Sequence, residues 1–194
     1  MAGKKRLDRI FDGYFSMQAE DMSFHPVELA KRASLSVANL RKDVVCEQDI
    51  LALFNNHLDQ QASEAALEED QGHAAMLEAL CVRLEVSFPW RQGLISLRRR
   101  TRRQPLFGLR QAALLGHSMA WLSEIAGYQT GQGHLRDVQL VALYDRAIEV
   151  LGEDDEHLTR CLAVLDQGLK KIESRQKRFQ KLQGTHDGMF KKNH

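Results

Sequence analysis

Gly116-His117-Ser118-Met119-Ala120 is the stretch whose spacing comes nearest to a catalytic motif, since a serine between small residues is how a nucleophile elbow exposes its hydroxyl on a strained strand-to-helix turn. The context excludes that chemistry. Leu109, Ala112, Ala113, Met119 and Leu122 run through the segment at helical spacing, so no strained turn presents Ser118. His117 therefore reads as a core or pocket histidine rather than a base. None of the eight histidines forms a His-x-x-x-His pair, and Cys46, Cys81 and Cys161 are scattered, so no metal set is expected. Gly127, Gly131 and Gly133 follow no strand and match no phosphate-binding spacing, which makes them a linker. With no nucleophile, acid/base pair or metal set in view, a binding protein is expected rather than an enzyme, and no cofactor.

The elements that must position any site are helices. In 194 residues there are only 3 prolines and 13 glycines, and β-branched residues are thin, which argues against the many turns of a sandwich or barrel. Lys plus Arg number 27 against 26 Asp plus Glu, so no global field selects nucleic acid or membrane, and any such partner must be met by a local patch. Arg98, Arg99, Arg100, Arg102 and Arg103 form a basic run spread over several helix faces, expected to be mostly solvated with some acidic partners, the alternative being an anion patch. Glu153 to Glu156 form an acidic corner expected to cap the last helix. An odd number of cysteines fits a reducing compartment. The basic start, MAGKKRLDRIF, is interrupted by Asp8, Arg9 and Asp12 before any signal-peptide core forms. No stretch approaches the roughly 20 apolar residues of a membrane span, so a cytoplasmic location is expected.

Leu7, Ile10, Phe11, Tyr14 and Phe15 share one face of a first helix ending near Ala19. Pro26 starts a short second helix, and Ser34-Leu35-Ser36 is a tight turn whose Ser36 hydroxyl caps a third, with Val37, Leu40 and Val44 at helical spacing. A fourth helix runs from Glu47 to Ser63, and longer ones are expected at 73 to 88, 91 to 103, 105 to 127, 134 to 151 and 156 to about 182.

Helix, three-residue turn, helix is the geometry that lays its second helix in a DNA major groove. Val27 through Leu40, with Arg9-Ile10-Phe11-Asp12 before it and Ile50-Leu51 after it, resembles the N-terminal domain of the TetR family of bacterial regulators over about residues 7 to 58. The resemblance implies an all-α fold with a three-helix helix-turn-helix head and a C-terminal helical bundle body. It also implies a homodimeric DNA-binding regulator released by a small molecule. Residues 1–46 are assigned to the head, 47–182 to the ligand-binding and dimerisation body, and 183–194 to a flexible basic tail. By the resemblance, Ser36, Val37, Ala38, Asn39, Arg41 and Lys42 touch the bases and phosphates of double-stranded operator DNA. The chain departs from the family where a Tyr-x-His-Phe run is usual and Arg41, Lys42, Asp43 and Val44 stand, and where a phosphate-facing Lys is usual and Glu47 stands. The first 56 residues carry eight basic and eight acidic side chains, which opposes phosphate binding. Whether this head grips DNA stays open at the level of sequence.

In the body, Pro89-Trp90-Arg91-Gln92-Gly93-Leu94, Ser118-Met119-Ala120-Trp121-Leu122 and Asp154-Asp155 leading to Leu165-Asp166 are similar to a group of TetR-like bacterial proteins. Those share their fold with the lipid-binding proteins of ubiquinone biosynthesis, in which the head no longer binds DNA and the body holds an isoprenoid or another lipid. That resemblance keeps a second function open, a TetR-fold lipid carrier. Cys81, Phe88, His117, Met119, Trp121, Tyr128 and Tyr144 are the candidates for an apolar pocket. Leu135, Val138, Val141, Leu158, Leu162, Leu165 and Leu169 are the candidates for a dimer face made by the last two helices. Lys170 to Lys192 holds eight basic and two acidic residues, but its apolar stripe is sparse, so a bundle helix is expected and membrane contact is not.

Overall fold

The structure, a computed structural model, describes the backbone of residues 2–128, 133–155 and 157–190, and the side chains of 5–128, 134–155 and 157–178 within them. The chain is all-α, and among the described residues there is no strand. The order is α1 (Ala2–Ala19), α2 (Pro26–Arg32), α3 (Val37–Leu40), α4 (Glu47–Ala66), α5 (His73–Ser87), a 3₁₀ turn (Phe88–Trp90), α6 (Arg91–Arg103), α7 (Pro105–Ile125), α8 (Gly133–Leu151) and α9 (Thr159–Phe190).

Local chemistry explains the starts. Pro26 occupies the first turn of α2, where its missing N–H costs nothing. The Ser36 hydroxyl accepts from the Asn39 amide at 3.2 Å and caps α3. Asp49 accepts from the Val45 and Cys46 amides, both at 2.8 Å, and fixes the entry to α4. Asp154 accepts from the Cys161 amide at 2.8 Å, so the acidic corner does cap α9. The 3₁₀ turn at Pro89 and the start at Pro105 divide what would be one long helical stretch into α5, α6 and α7.

Two differences from the sequence reading are instructive. The third helix stops at Leu40 after a single turn, and residues 41–43 continue as turns, so Val44 reaches the core without belonging to the helix. The last helix starts at Thr159 and its backbone stays helical to Phe190, beyond the boundary read at residue 182; residues 191–194 lie outside those described.

Burial forms two cores joined by α4. The head core gathers Ile10, Phe11, Tyr14, Phe15, Leu29 and Leu40 with Ile50, Leu51, Phe54 and Leu58 of α4, and draws in Leu97 and Phe107 from the body. The body core begins on the same helix at Ala62 and Ala66 and continues through α5, α7, α8 and α9. Hence the boundary at residue 46 separates helices but not cores. At the seam, Phe11, Phe15, Phe54 and Trp90 pack edge to face or tilted, with Phe15 and Phe54 centroids 4.6 Å apart, and the Trp90 indole donates to Asp12 at 2.8 Å. Gly93 sits where α6 crosses α1: a Cβ there would overlap the Phe15 carbonyl oxygen and come within 2.7 Å of its Cβ.

Gly93→Ala is expected to push α6 off α1 and lower stability by about 1–3 kcal/mol, read as a lower denaturant midpoint. Asp49→Asn is expected to cost about 1 kcal/mol at neutral pH. The Cys46 and Val45 amides hold the Asp49 carboxyl below the usual carboxylate range. A lowered folded-state value adds stability above about pH 4 that disappears as pH falls through it. The difference between wild type and Asp49→Asn should therefore shrink towards about pH 3, which urea midpoints at the two pH values check.

Candidate functional site

The exposed edge of the helix-turn-helix is built from α2, the turn at Ser34 and the single turn of α3. Arg32 ties α2 to α1, its guanidinium donating in parallel to both oxygens of Glu20 at 2.8 Å and to Glu28 at 2.9 Å. Leu40 is buried beneath α3 and anchors it, which leaves Ser36, Val37, Ala38, Asn39, Arg41 and Lys42 exposed. All six residues read as DNA contacts are therefore exposed. Arg6 of α1 reaches across this edge, donating to the Asn39 carbonyl at 2.5 Å and pairing with Asp43.

The second unfavourable carboxylate is turned away. Glu47 is 9% exposed and accepts from Arg100 of α6 at 2.5 and 2.9 Å and from the Tyr14 hydroxyl at 3.0 Å. Bonding to Glu47 holds the Arg100 guanidinium above its usual range, while burial and then the Glu47 charge keep the Tyr14 phenol protonated. Asp43 and Glu47 are thus neutralised by Arg6 and Arg100; among the described residues Arg41 and Lys42 have no carboxylate within salt-bridge distance, although Arg41 is near enough to Asp49 for its charge to favour that carboxylate. The zero balance counted along the chain does not describe this edge. Arg98 of the basic run pairs with Asp145 and Glu149 of α8, while Arg99 and Arg103 stay exposed.

A cavity of about 320 Å³ lies between α4, α5, α6, α7 and α8, directly behind the aromatic seam. Leu51, Phe54 and Leu58 of α4 form one wall, Leu94 and Leu97 of α6 another, and Leu115, Val141 and Ile148 the far side. Buried Arg83 of α5 lines it, pairing with Asp59, donating to Asn55 at 2.9 Å and stacking 5.0 Å from the centroid of Tyr144. The second Asp59 oxygen accepts from Ser118 at 2.6 Å. Of the seven pocket candidates, Tyr144 alone lines this cavity. Cys81, Met119 and Tyr128 are core, with burial pushing the Cys81 thiol up to about 12. Phe88 packs against that core half-buried, with Arg91 4.3 Å from its ring centroid. His117 and Trp121 line a separate outer groove between α4 and α7, where the Trp121 indole donates to Ser63 at 3.0 Å.

Sequence reasoning missed Arg83, Asp59, Asn55 and Gln111. Only Arg83 left a signal, a cation inside the apolar run Leu80 to Leu84; the others are polar residues on amphipathic helices like any surface side chain. Among the dimer-face candidates, Leu158, Leu165 and Leu169 are buried in the chain's own core, Val141 is half-buried against it, and Leu135, Val138 and Leu162 are 55, 65 and 40% exposed. Among the described residues no group of three His, Cys, Asp or Glu could hold a metal, and no helix is long and apolar enough to cross a membrane.

No protein-family profile matches the chain, and no curated protein does. A solved structure, that of the R. erythropolis transcriptional repressor QsdR from the TetR family, aligns over 85% of this chain and 94% of its own, with 16% identity and a TM-score of 0.45. That overlap is too slight to transfer any residue's role.

Arg83→Met leaves the half-buried Asp59 without its cation and is expected to cost about 3 kcal/mol, whereas Arg83→Met combined with Asp59→Leu regains much of that loss. Guanidinium unfolding of the two single variants and the double variant measures the coupling.

Proposed function

We propose that the protein is a TetR-like, DNA-binding transcriptional regulator that acts as a homodimer in the cytoplasm and responds to a small, largely apolar effector. The observation that carries the reading is the exposed edge from Ser36 to Lys42, where Asp43 and Glu47 are bound by Arg6 and Arg100, Asp49 is held by the Val45 and Cys46 amides, and Arg41 and Lys42 have no carboxylate within salt-bridge distance among the described residues. One helical turn rises only about 6 Å, so few bases are read. Asn39 supplies an amide suited to adenine, Val37 a methyl surface suited to thymine, and Arg41 and Lys42 the phosphate contacts.

The cavity supports effector control because α4 lines it and also supplies part of the head core, so a ligand that moves α4 against α6 also moves the head. In a dimer that motion changes the separation of the two recognition edges, and an effector favouring one separation shifts DNA affinity by its differential binding. Leu135, Val138 and Leu162 supply exposed apolar surface for such a pairing, since Leu165 and Leu169 of α9 are spent internally. A cavity of about 320 Å³ is at the small end of ligand sites, which suits a compact effector.

Fluorescence anisotropy against a duplex from upstream of the chain's own gene tests the reading. Arg41→Ala and Lys42→Ala should each weaken binding and reduce the salt slope by about 1, while Lys171→Ala on α9 should leave it unchanged. Binding whose salt dependence is the same in all three variants overturns the assignment.

A further inference from the structure

Three residues that line the cavity each hold one buried polar atom with no hydrogen-bond partner among the described residues: Arg83 its Nε, Gln111 its Nε2 and Tyr144 its hydroxyl. Buried polar groups in folded proteins are almost always satisfied, so three unsatisfied ones around a single space point to a partner that occupies it. All three are able to donate, and two of them, the guanidinium and amide nitrogens, do nothing else. The missing partner is an acceptor.

Charge narrows its chemistry. The terminal nitrogens of Arg83 are held by Asp59 and Asn55, and Arg98 is held by Asp145 and Glu149. Arg102 lies at the rim with 61% of its side chain exposed, 3.9 Å from Glu149. No cation inside the wall is left unopposed, so a buried carboxylate or phosphate would bring in an uncompensated charge, whereas a carbonyl oxygen would not. Apart from Asn55 and Thr101, the rest of the lining is mostly hydrocarbon, chiefly Leu51, Leu58, Leu97, Leu115 and Ile148.

We propose that the cavity takes an uncharged amphipathic molecule, whose carbonyl-type oxygen accepts from Gln111, Tyr144 and Arg83 while its hydrocarbon part lies against the leucines of α4 and α6. This deepens the effector reading and rests on it. The size of the space places the ligand among single-chain or single-ring compounds rather than diacyl lipids.

The test uses the full chain without DNA, titrated calorimetrically with methyl decanoate, decanoate and decane in the same cosolvent. The ester is expected to bind and raise the melting temperature, with the acid at neutral pH and the alkane at least tenfold weaker. Tyr144→Phe and Gln111→Leu should each weaken ester binding about threefold to tenfold while leaving the ligand-free melting temperature unchanged or higher, because each removes an unpaired polar atom from the interior. A purely structural hydroxyl or amide would instead lower that temperature. The proposal is overturned if none of the three probes binds, if decanoate binds as tightly as its ester, if decane matches both, or if the variants lose stability and keep the ester. Adding the upstream duplex separates the two readings. Ester binding that leaves DNA affinity untouched sinks effector control and keeps the ligand class, whereas salt-dependent DNA binding with no probe bound sinks the ligand class alone.

Discussion

The molecule depends on α4 belonging to two cores at once. Its first half packs Ile50, Leu51, Phe54 and Leu58 under the head, and its second half packs Ala62 and Ala66 into the body. A helix shared in this way cannot slide or rotate for one core without disturbing the other. Two carboxylates set its register: Glu47 is held by Arg100 from α6, and Asp59 by Arg83 from α5. Ion pairs of this kind add little net stability once desolvation is counted, but each leaves a buried charge behind if its helix shifts, so they discriminate strongly between positions.

That constraint has consequences at both ends. At the head it draws Glu47 inward, which turns a charge opposed to phosphate into part of the frame that orients α4. Beside it, Arg6 covers Asp43, and the residues left to the outside are the short apolar and amide side chains of α3 followed by two cations. At the body end, the Asp59–Arg83 pair with Ser118 holds α4, α5 and α7 together around a space that hydrocarbon alone does not fill.

Close approaches and gaps alternate along the same seam. Gly93 brings α6 onto α1, and Gly108 brings α7 against the Thr101 carbonyl, where an added Cβ would stand 2.7 Å away. With those crossings fixed by glycine, the aromatic wedge of Phe11, Phe15, Phe54 and Trp90 fills the head side, and the cavity lies on the other. Void and wedge share Phe54, so occupancy of the one is felt by the other.

The order of the helices, their caps at Ser36 and Asp154, and the breaks at Pro26, Pro89 and Pro105 were legible in the chain, because capping, proline geometry and apolar period act over a few neighbouring residues. Tertiary structure alone decided that Glu47 faces Arg100, that Arg83 meets Asp59, that Leu165 and Leu169 are spent inside the chain's own core while Leu135 and Val138 are not, and that Tyr144 rather than Cys81 or Met119 lines the cavity. An apolar stripe records that a residue is covered but not by which helix, and a charge records nothing of its partner. Both are set by crossing angles between elements far apart in the chain, which is where local periodicity carries no information.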